Sequence, residues 1–259
     1  MVLAIDIGNT YILFGCFEDR KILFREILST NTSSTDLEYA ALLKSALEFN
    51  KLSLEKVEGA IISSVVPSIT ETIKKAIGRL ATVSTLVVGP GVKTGLKIKI
   101  DNPAQLGSDL VISAIAGIQE YGVPQINIYM GTATAFSLID KDKNFIGTSI
   151  GAGIGIAAEA LSNKTSQLPN VAFELPKKVI GTNTIDSMKS GLMYQNAALI
   201  DGMIDRIEEE YGEKCTVTIT GRYASVITPL CHHDMICDTD LLLKGLIEVY
   251  HKNQPVKRG

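Results

Sequence analysis

The 259-residue chain contains no tryptophan, three histidines and four cysteines. Cys16, Cys215, Cys231 and Cys237 form no CxxC pair and are too scattered to frame a disulfide scaffold in a chain this long. Cys231, His232, His233 and Cys237 stand close enough together to be weighed as zinc ligands. Their setting in a loop ahead of the last helix favours reduced, partly exposed side chains instead. No run of 18 or more apolar residues occurs, so no membrane-spanning helix is expected. The apolar start is interrupted at Asp6 with no basic segment before it, which argues against a secretory signal and for the cytoplasm. Neither sign of charge dominates. With 25 basic and 28 acidic side chains, a net charge of −3 gives no electrostatic case for nucleic acid or a membrane surface as partner.

Two common nucleotide signatures are also missing. Gly89-Pro-Gly-Val-Lys-Thr-Gly95 has no glycine before Lys93, as a P-loop requires. Gly151-Ala-Gly-Ile-Gly155 is followed by Ile156 and does not have the spacing of a dinucleotide fingerprint.

What is present is enough apolar sequence for a large core, 46% hydrophobic against 20% charged, and an internal repeat. Val2–Ile5 and Tyr11–Phe17 read as a hairpin, and Lys21–Glu26 as a third strand. Thr35-x-x-Glu38 is a capping-box pattern opening a helix that carries Leu37, Ala40, Ala41, Leu43 and Leu47. A strand over Val57–Val66 leads into a helix opened by Pro67, followed by a strand over Thr85–Val88. Helical spacing returns at Val111, Ile115 and Ile118. The pattern then restarts. Gln125–Met130 and Ala135–Ile139 flank a small-residue turn, and Phe145–Ile150 is a further strand. Helices around Ala157–Leu161 and Asn196–Tyr211, a strand over Thr216–Thr220 and a helix over Leu241–Tyr250 complete the second copy. The repeat predicts a duplicated α/β fold of the actin-like ATPase (ribonuclease H-like) type, each half a mixed sheet with flanking helices. Its halves are residues 1–122 and 123–259, joined at Gly122-Val123-Pro124, and the tail Asn253–Gly259 is expected to fray.

Chemistry concentrates at the two turns. Asp6 ends a buried strand, and Gly8, Asn9 and Thr10 follow it. Exposed backbone N–H groups with the Asn9 and Thr10 side chains suit phosphate oxygens, and the Asp6 carboxylate suits Mg²⁺. A plain Asp-Gly hairpin turn is the alternative. The partner turn Gly131-Thr132-Ala133-Thr134, at the equivalent place in the repeat, favours the phosphate reading. Asp109, after Gly107 and Ser108, falls in the first turn of a helix whose dipole favours its charged form. It reads either as part of that helix's cap or as the carboxylate that accepts a hydroxyl proton during phosphoryl transfer.

Asp6-Ile-Gly-Asn-Thr10, Ser63-Ser-Val-Val-Pro67, the run from Gly89 to Leu96, Asp101-Asn-Pro103 and Gly107-Ser-Asp109 resemble, in order, the motifs of type III pantothenate kinases. So do Gly131-Thr-Ala-Thr134, Leu168-Pro169, Gly181-Thr-Asn-Thr184 and Asp238-Thr-Asp-Leu241. The resemblance implies an ATP-dependent kinase that phosphorylates the primary hydroxyl of pantothenate, the first step of coenzyme A biosynthesis. It implies a homodimer using ATP, Mg²⁺ and a monovalent cation, K⁺ or NH₄⁺. It also implies roles for single residues: Asp109 as general base, Asp6 at the metal, and Gly8, Asn9, Thr10, Gly131, Thr132, Thr134 and Gly221 at the nucleotide. Gly107, Ser108, Asp109 and Thr184 would meet pantothenate, Thr184 from the dimer interface.

Departures from the family pattern gather on the same sites. Tyr129 stands where the family has the aspartate that holds the monovalent cation, and Leu110 where it has an arginine facing the pantothenate carboxylate. Ile100 replaces a tyrosine, Arg222 the second glycine of Thr-Gly-Gly, and Ala152 a proline. A leucine cannot replace a charge-assisted contact worth roughly 1.5–3 kcal/mol. Two further readings therefore stay open: an impaired paralogue acting as a nucleotide- or metabolite-binding or regulatory protein, and a kinase with a different hydroxyl acceptor.

Overall fold

The computed structural model describes residues 1–254 and divides into two compact units. The first begins with strands β1 (Val2–Ile7), β2 (Tyr11–Glu18) and β3 (Lys21–Ser29). Helix α1 (Asp36–Phe49), strand β4 (Gly59–Ser64), helix α2 (Pro67–Leu80) and strand β5 (Ser84–Val87) follow. These five strands form one sheet in the order β3-β2-β1-β4-β5. β1 runs antiparallel to β2 and parallel to β4, with Asp6 opposite Leu13 on one side and Ser63 on the other. β1 is buried from Val2 to Asp6 and Ile7 because it is central, which explains its nearly unbroken apolar sequence. The core places Leu3, Ile5, Ile12, Phe14 and Ile62 against Tyr39, Leu43 and Leu47 of α1 and Ile69, Ile73 and Ile77 of α2.

The local signals for α1 act as their chemistry requires. The Thr35 hydroxyl accepts from the Glu38 N–H, and the Glu38 carboxylate accepts from the Thr35 N–H at 2.6 Å. Leu37, by contrast, is 63% exposed, so it lies outside the apolar stripe assigned to it from spacing.

Strand β6 (Lys97–Ile98) belongs to the second unit, and helix α3 (Ser108–Tyr121) starts in the first unit and ends in the second. The second unit continues with β7 (Gln125–Met130), β8 (Ala133–Ile139) and β9 (Asn144–Ala152). Then come α4 (Ile154–Lys164), α5 (Thr184–Tyr211), β10 (Thr216–Gly221), α6 (Ala224–Ile227) and β11 (Ile236–Cys237). Its sheet order is β11-β10-β7-β8-β9-β6. β7 is antiparallel to β8 and parallel to β10, so β9-β8-β7-β10-β11 repeats the first sheet strand for strand and in direction. The duplication read from the sequence is thus present in the topology, with β6 added at one edge.

Helix α7 (Leu241–Asn253) returns to the first unit. By compactness the first unit takes Met1–Leu96, Asn102–Ala116 and the described residues from Leu241, and the second takes Lys97–Asp101 and Gly117–Asp240; the halves 1–122 and 123–259 are the reading from the repeat. Asn253 is not frayed. It closes α7 and is hydrogen-bonded to Val249 and Lys93. The rest of the expected tail, from residue 255 on, lies outside the described residues. No helix among the described residues is long and apolar enough to cross a membrane.

Replacing Thr35 by alanine removes one half of the α1 cap and is expected to lower unfolding free energy by about 1 kcal/mol in urea denaturation, without changing the slope of the transition.

Candidate active site

In the first unit the end of β1 delivers Asp6 into the interior, 3% exposed, with Gly8, Asn9 and Thr10 forming the turn to β2. The turn is closed by the Gly8 N–H donating to the Tyr11 carbonyl at 3.0 Å. Thr30 buttresses it from β3's end, its hydroxyl donating to the Gly8 carbonyl at 2.7 Å and its N–H to the Thr10 carbonyl at 3.0 Å. Asn9 and Thr10 face solvent.

Asp6 is buried beside two serines. Parallel pairing with β4 sets Ser63 next to it, and the Ser63 hydroxyl hydrogen-bonds its carboxyl group. Ser63 also lies 2.9 Å from the Ser108 hydroxyl, which in turn donates to the Ser64 carbonyl at 3.1 Å and accepts from the Ser64 N–H at 3.0 Å. Ser63 has one proton and two acceptors in reach, Asp6 and Ser108, so it donates to one of them at a time. The same contacts fasten the first turn of α3 to β4, and with it Asp109.

Asp109 accepts the Leu110 N–H at 2.9 Å. Both acids are harder to ionise than a free aspartate. Burial, then the charge of Asp109, opposed by the Ser63 hydrogen bond, lift Asp6 from 3.8 to about 7. Burial raises Asp109, opposed by backbone N–H groups at Leu110 and at its own position. The Oδ1 atom of Asp6 is buried with no hydrogen-bond partner. A cation ligated by that oxygen would satisfy it and favour the ionised form, so the site fits a divalent metal.

In the second unit Gly131 and Thr132 form the turn between β7 and β8, closed by the Gly131 N–H donating to the Ala133 carbonyl at 2.9 Å. Gly153, the N-terminal cap of α4, donates its N–H to the Thr132 carbonyl at 3.2 Å. A Cβ on Gly153 would lie 2.4 Å from that oxygen, so the helix start is packed directly on the turn. Gly153 belongs to a glycine run that fails as a dinucleotide fingerprint. Its role, like that of Ser63, was missed by the sequence reading. A glycine just ahead of a helix was the available signal. Thr134 sits in β8, 1% exposed, on the face that buries Met130 and Phe136, and its hydroxyl is unpaired. Gly221 ends β10 at φ +110°, with a Cβ position 2.3 Å from the Met130 carbonyl, so the chain needs glycine there for both reasons.

The family-divergent positions are now placed. The Tyr129 ring lies over Gly131, 3.0 Å from where a Cβ would be, and so covers that turn's first residue. Leu110 is 6% exposed within α3. Ile100 is half-buried just beyond β6. Arg222 is exposed and stacks its guanidinium 5.7 Å from the Tyr223 ring. It is not among the described non-glycine residues with positive φ, which are Asp19, Lys51 and Lys143, so its replacement of glycine costs no backbone strain. Thr184 opens α5 after the Asn183 cap and lines a cavity of about 630 Å³ with Leu161, Leu168, Met188 and Leu192.

The cysteine–histidine cluster has another use. The backbone N–H groups of His232 and His233 converge on the Asp201 carboxylate at 2.9–3.0 Å, and the His233 ring meets Asp205 at 2.9 Å. Burial and the nearby Asp201 push the Cys231 thiol up to about 12, which keeps it neutral and a poor metal ligand. The cluster ties its loop to α5.

Paired hairpin turns on duplicated sheets define an actin-like ATPase fold. Comparison with solved structures bears this out at the level of fold. The activator of the 2-hydroxyisocaproyl-CoA dehydratase from Clostridium difficile, with bound ADPNP, superimposes with a TM-score of 0.57 at 12% identity, over 96% of this chain and 93% of that one. A candidate 2-dehydro-3-deoxygalactonokinase from Sinorhizobium meliloti gives 0.60 at 9% identity, over 100% and 99%. The type III pantothenate kinase profile matches residues 2–206, and a type III pantothenate kinase of Brevibacillus brevis is 40% identical over 256 residues, 98% of this chain and all of that one. This chain belongs to the type III pantothenate kinase family.

The raised pKa of Asp6 makes a signed prediction. Between about pH 4 and 7 the folded state holds a proton that the unfolded state has lost, so Asp6 makes stability fall as pH rises through that window. Asp6→Asn is expected to abolish this slope and to be more stable than the parent by roughly 2–4 kcal/mol at pH 7.5, with little difference at pH 4. Parallel stability curves for the two proteins from pH 4 to 7.5 would contradict the assignment.

Proposed function

We propose that this protein is an ATP-dependent kinase that phosphorylates the primary hydroxyl of pantothenate, acting as a cytoplasmic homodimer with Mg²⁺. The observation that carries the reading is a pair of carboxylates on neighbouring elements, Asp6 buried with one oxygen unpartnered and Asp109 half-buried in the first turn of α3. Phosphoryl transfer needs one carboxylate for the metal and another free to take the hydroxyl proton. Asp6, with its unpaired Oδ1, would hold Mg²⁺, and the Gly8–Thr10 turn would meet the phosphates; in the second unit the Gly131–Thr132 turn is suited by itself to the same kind of oxygen. Mg²⁺-ATP, when bound, supplies the γ-phosphoryl group and charge neutralisation. Asp109 accepts the acceptor's proton: its fixation through Ser108 to β4 holds it in place, and burial keeps its basicity above that of a free aspartate. Ser63 orients Asp6.

Support for the homodimer comes from exposed apolar surface. Eight of the thirteen exposed large apolar side chains among the described residues lie between Ile150 and Leu199, including Val179, Ile180 and Ile185. Such a concentration is usual at subunit contacts. Thr184 and its cavity lie in the same stretch.

The second reading, a changed acceptor or lost turnover, rests on Leu110 and Tyr129. An apolar side chain follows Asp109 where a carboxylate-bearing acceptor would want a cation, and a neutral phenol covers Gly131 where a hard cation would want a carboxylate. We infer from Tyr129 that the reaction needs no K⁺ or NH₄⁺.

Purified protein with Mg²⁺-ATP and pantothenate is expected to form phosphopantothenate, and Asp109→Ala to reduce the rate at least 100-fold with nucleotide affinity unchanged. Equal product from both proteins would remove Asp109 from the reaction. Product from the amide of pantothenate but not from pantothenate itself would select the changed-acceptor reading. Exchanging K⁺ for tetramethylammonium is expected to alter the rate less than about twofold, and loss of activity on that exchange would show that Tyr129 does not spare the cation.

A further inference from the structure

The Gly89–Leu96 loop leaves β5 at the same sheet edge as the two carboxylates. β1, β4 and β5 are parallel neighbours, and the pairing continues past β5, the Val88 N–H donating to the Ile62 carbonyl at 2.8 Å. Asp6 ends β1, and Ser63 and Ser64, which hold the start of α3, end β4. With strands about 4.8 Å apart, Asp109 is anchored over the middle strand, with the β1–β2 turn on one side and the β5 loop on the other. The nucleotide phosphates belong to the β1–β2 turn on the reading above. The acceptor hydroxyl must approach the γ-phosphoryl group from the opposite side, which is the side of the Gly89–Leu96 loop.

That loop has two internal hydrogen bonds, from the Val92 N–H to the Gly89 carbonyl at 3.1 Å and from the Leu96 N–H to the Thr94 hydroxyl at 3.3 Å, and is otherwise held from outside. Gly91 and Gly95 both have left-handed φ, +89° and +75°. Its backbone is grasped by the end of α7. The Asn253 amide accepts from the Lys93 N–H at 3.0 Å and donates to the Lys93 carbonyl at 2.9 Å, pairing with the residue as a neighbouring strand would. Its nitrogen also donates to the Val249 carbonyl at 2.8 Å, which fixes the amide's orientation on the helix. Lys252 donates to the Thr94 carbonyl at 2.8 Å, and its ammonium lies 2.8 Å from the position a Gly95 Cβ would take.

We propose that Asn253 is a positioning residue for the acceptor side of the site, acting through the Gly89–Leu96 loop. The proposal rests on the kinase reading for what the loop faces, and on the Asn253–Lys93 amide pair for how it is held. Asn253→Ala removes both bonds to Lys93 and the one to Val249, at a helix terminus where alanine is well tolerated, so the fold is expected to persist with an unchanged melting temperature. Amide exchange at Lys93 is expected to rise at least tenfold in Asn253→Ala and to stay slow in Asn253→Asp, which keeps the accepting oxygen. In kinetics, Asn253→Ala is expected to raise the acceptor KM about tenfold, with kcat and the ATP KM within about twofold of the parent. Asn253→Asp should fall between. Equal Lys93 exchange in parent and Asn253→Ala, an unchanged acceptor KM, or a joint rise of both KM values with a lowered melting temperature would each overturn the proposal. Failure of the parent to phosphorylate any acceptor would instead overturn the kinase reading, and the exchange result would still stand or fall by itself.

Discussion

Asp6 is a carboxylate taken almost wholly out of water at the end of a central strand, with one oxygen bonded by Ser63 and the other bonded by nothing in the chain. A charge buried in this way is expensive unless something neutralises it, and a proton or a cation are the two available means. The surroundings are arranged around that choice. β1 must be apolar and central to bring the side chain inside, β4 must end in serines to meet it, and α3 must begin where Ser108 can reach both Ser63 and the β4 backbone. Asp109 then inherits a fixed place and adds a second negative charge that sharpens the competition for the proton.

Duplication explains how such a site could arise with little new structure. The second sheet repeats the strand order and directions of the first, and its central hairpin again ends in a glycine-bearing turn. The two copies have been used differently. In the first, the strand before the turn delivers a carboxylate. In the second, the same place holds Tyr129, and the turn is instead braced from behind by the α4 N-terminus through Gly153. A helix N-terminus pressed on a turn adds partial positive charge without any side chain, which suits anion binding where no metal ligand is supplied.

Much of this was legible in the sequence because it is written locally. The hairpins, the Thr35–Glu38 cap and the Pro67 helix start each depend on a few adjacent residues, and the repeat made the topology readable. The missed elements depend on partners far away. β6 and β11 are two residues long and exist only through pairing with β9 and β10. α5 starts at Thr184, twelve residues before the Asn196 taken as its beginning, because Gly191 and several polar positions dilute the apolar stripe over its first three turns. An Asn183-x-x-Asp186 cap, with the Asp186 N–H on the Asn183 oxygen at 2.9 Å, was the signal that marked the true start. Asn253 was read as frayed because nothing near it in sequence reveals Lys93, 160 positions earlier.

The placement of the divergent residues separates two kinds of change. Arg222 follows a glycine that carries the left-handed conformation itself, so the backbone of that turn is undisturbed and the new side chain rests on Tyr223 at the surface. Leu110 and Tyr129 are different, since each stands where the family resemblance implies a charged side chain, and each adjoins a candidate site residue, Asp109 in one case and Gly131 in the other. Neither disturbs the Asp6–Ser63–Ser108 row or the fastening of α3 to β4. On the proposed kinase reading, Asp6, Ser63, Ser108 and Asp109 would still move a proton and hold a metal, while Leu110 and Tyr129 would bear on which acceptor and cation are taken. A buried carboxylate with one oxygen unpartnered costs stability at neutral pH, and a cation at that oxygen would offset the cost. On the kinase reading Asp6 would receive that cation, and Leu110 beside Asp109 would bear on which acceptor is taken.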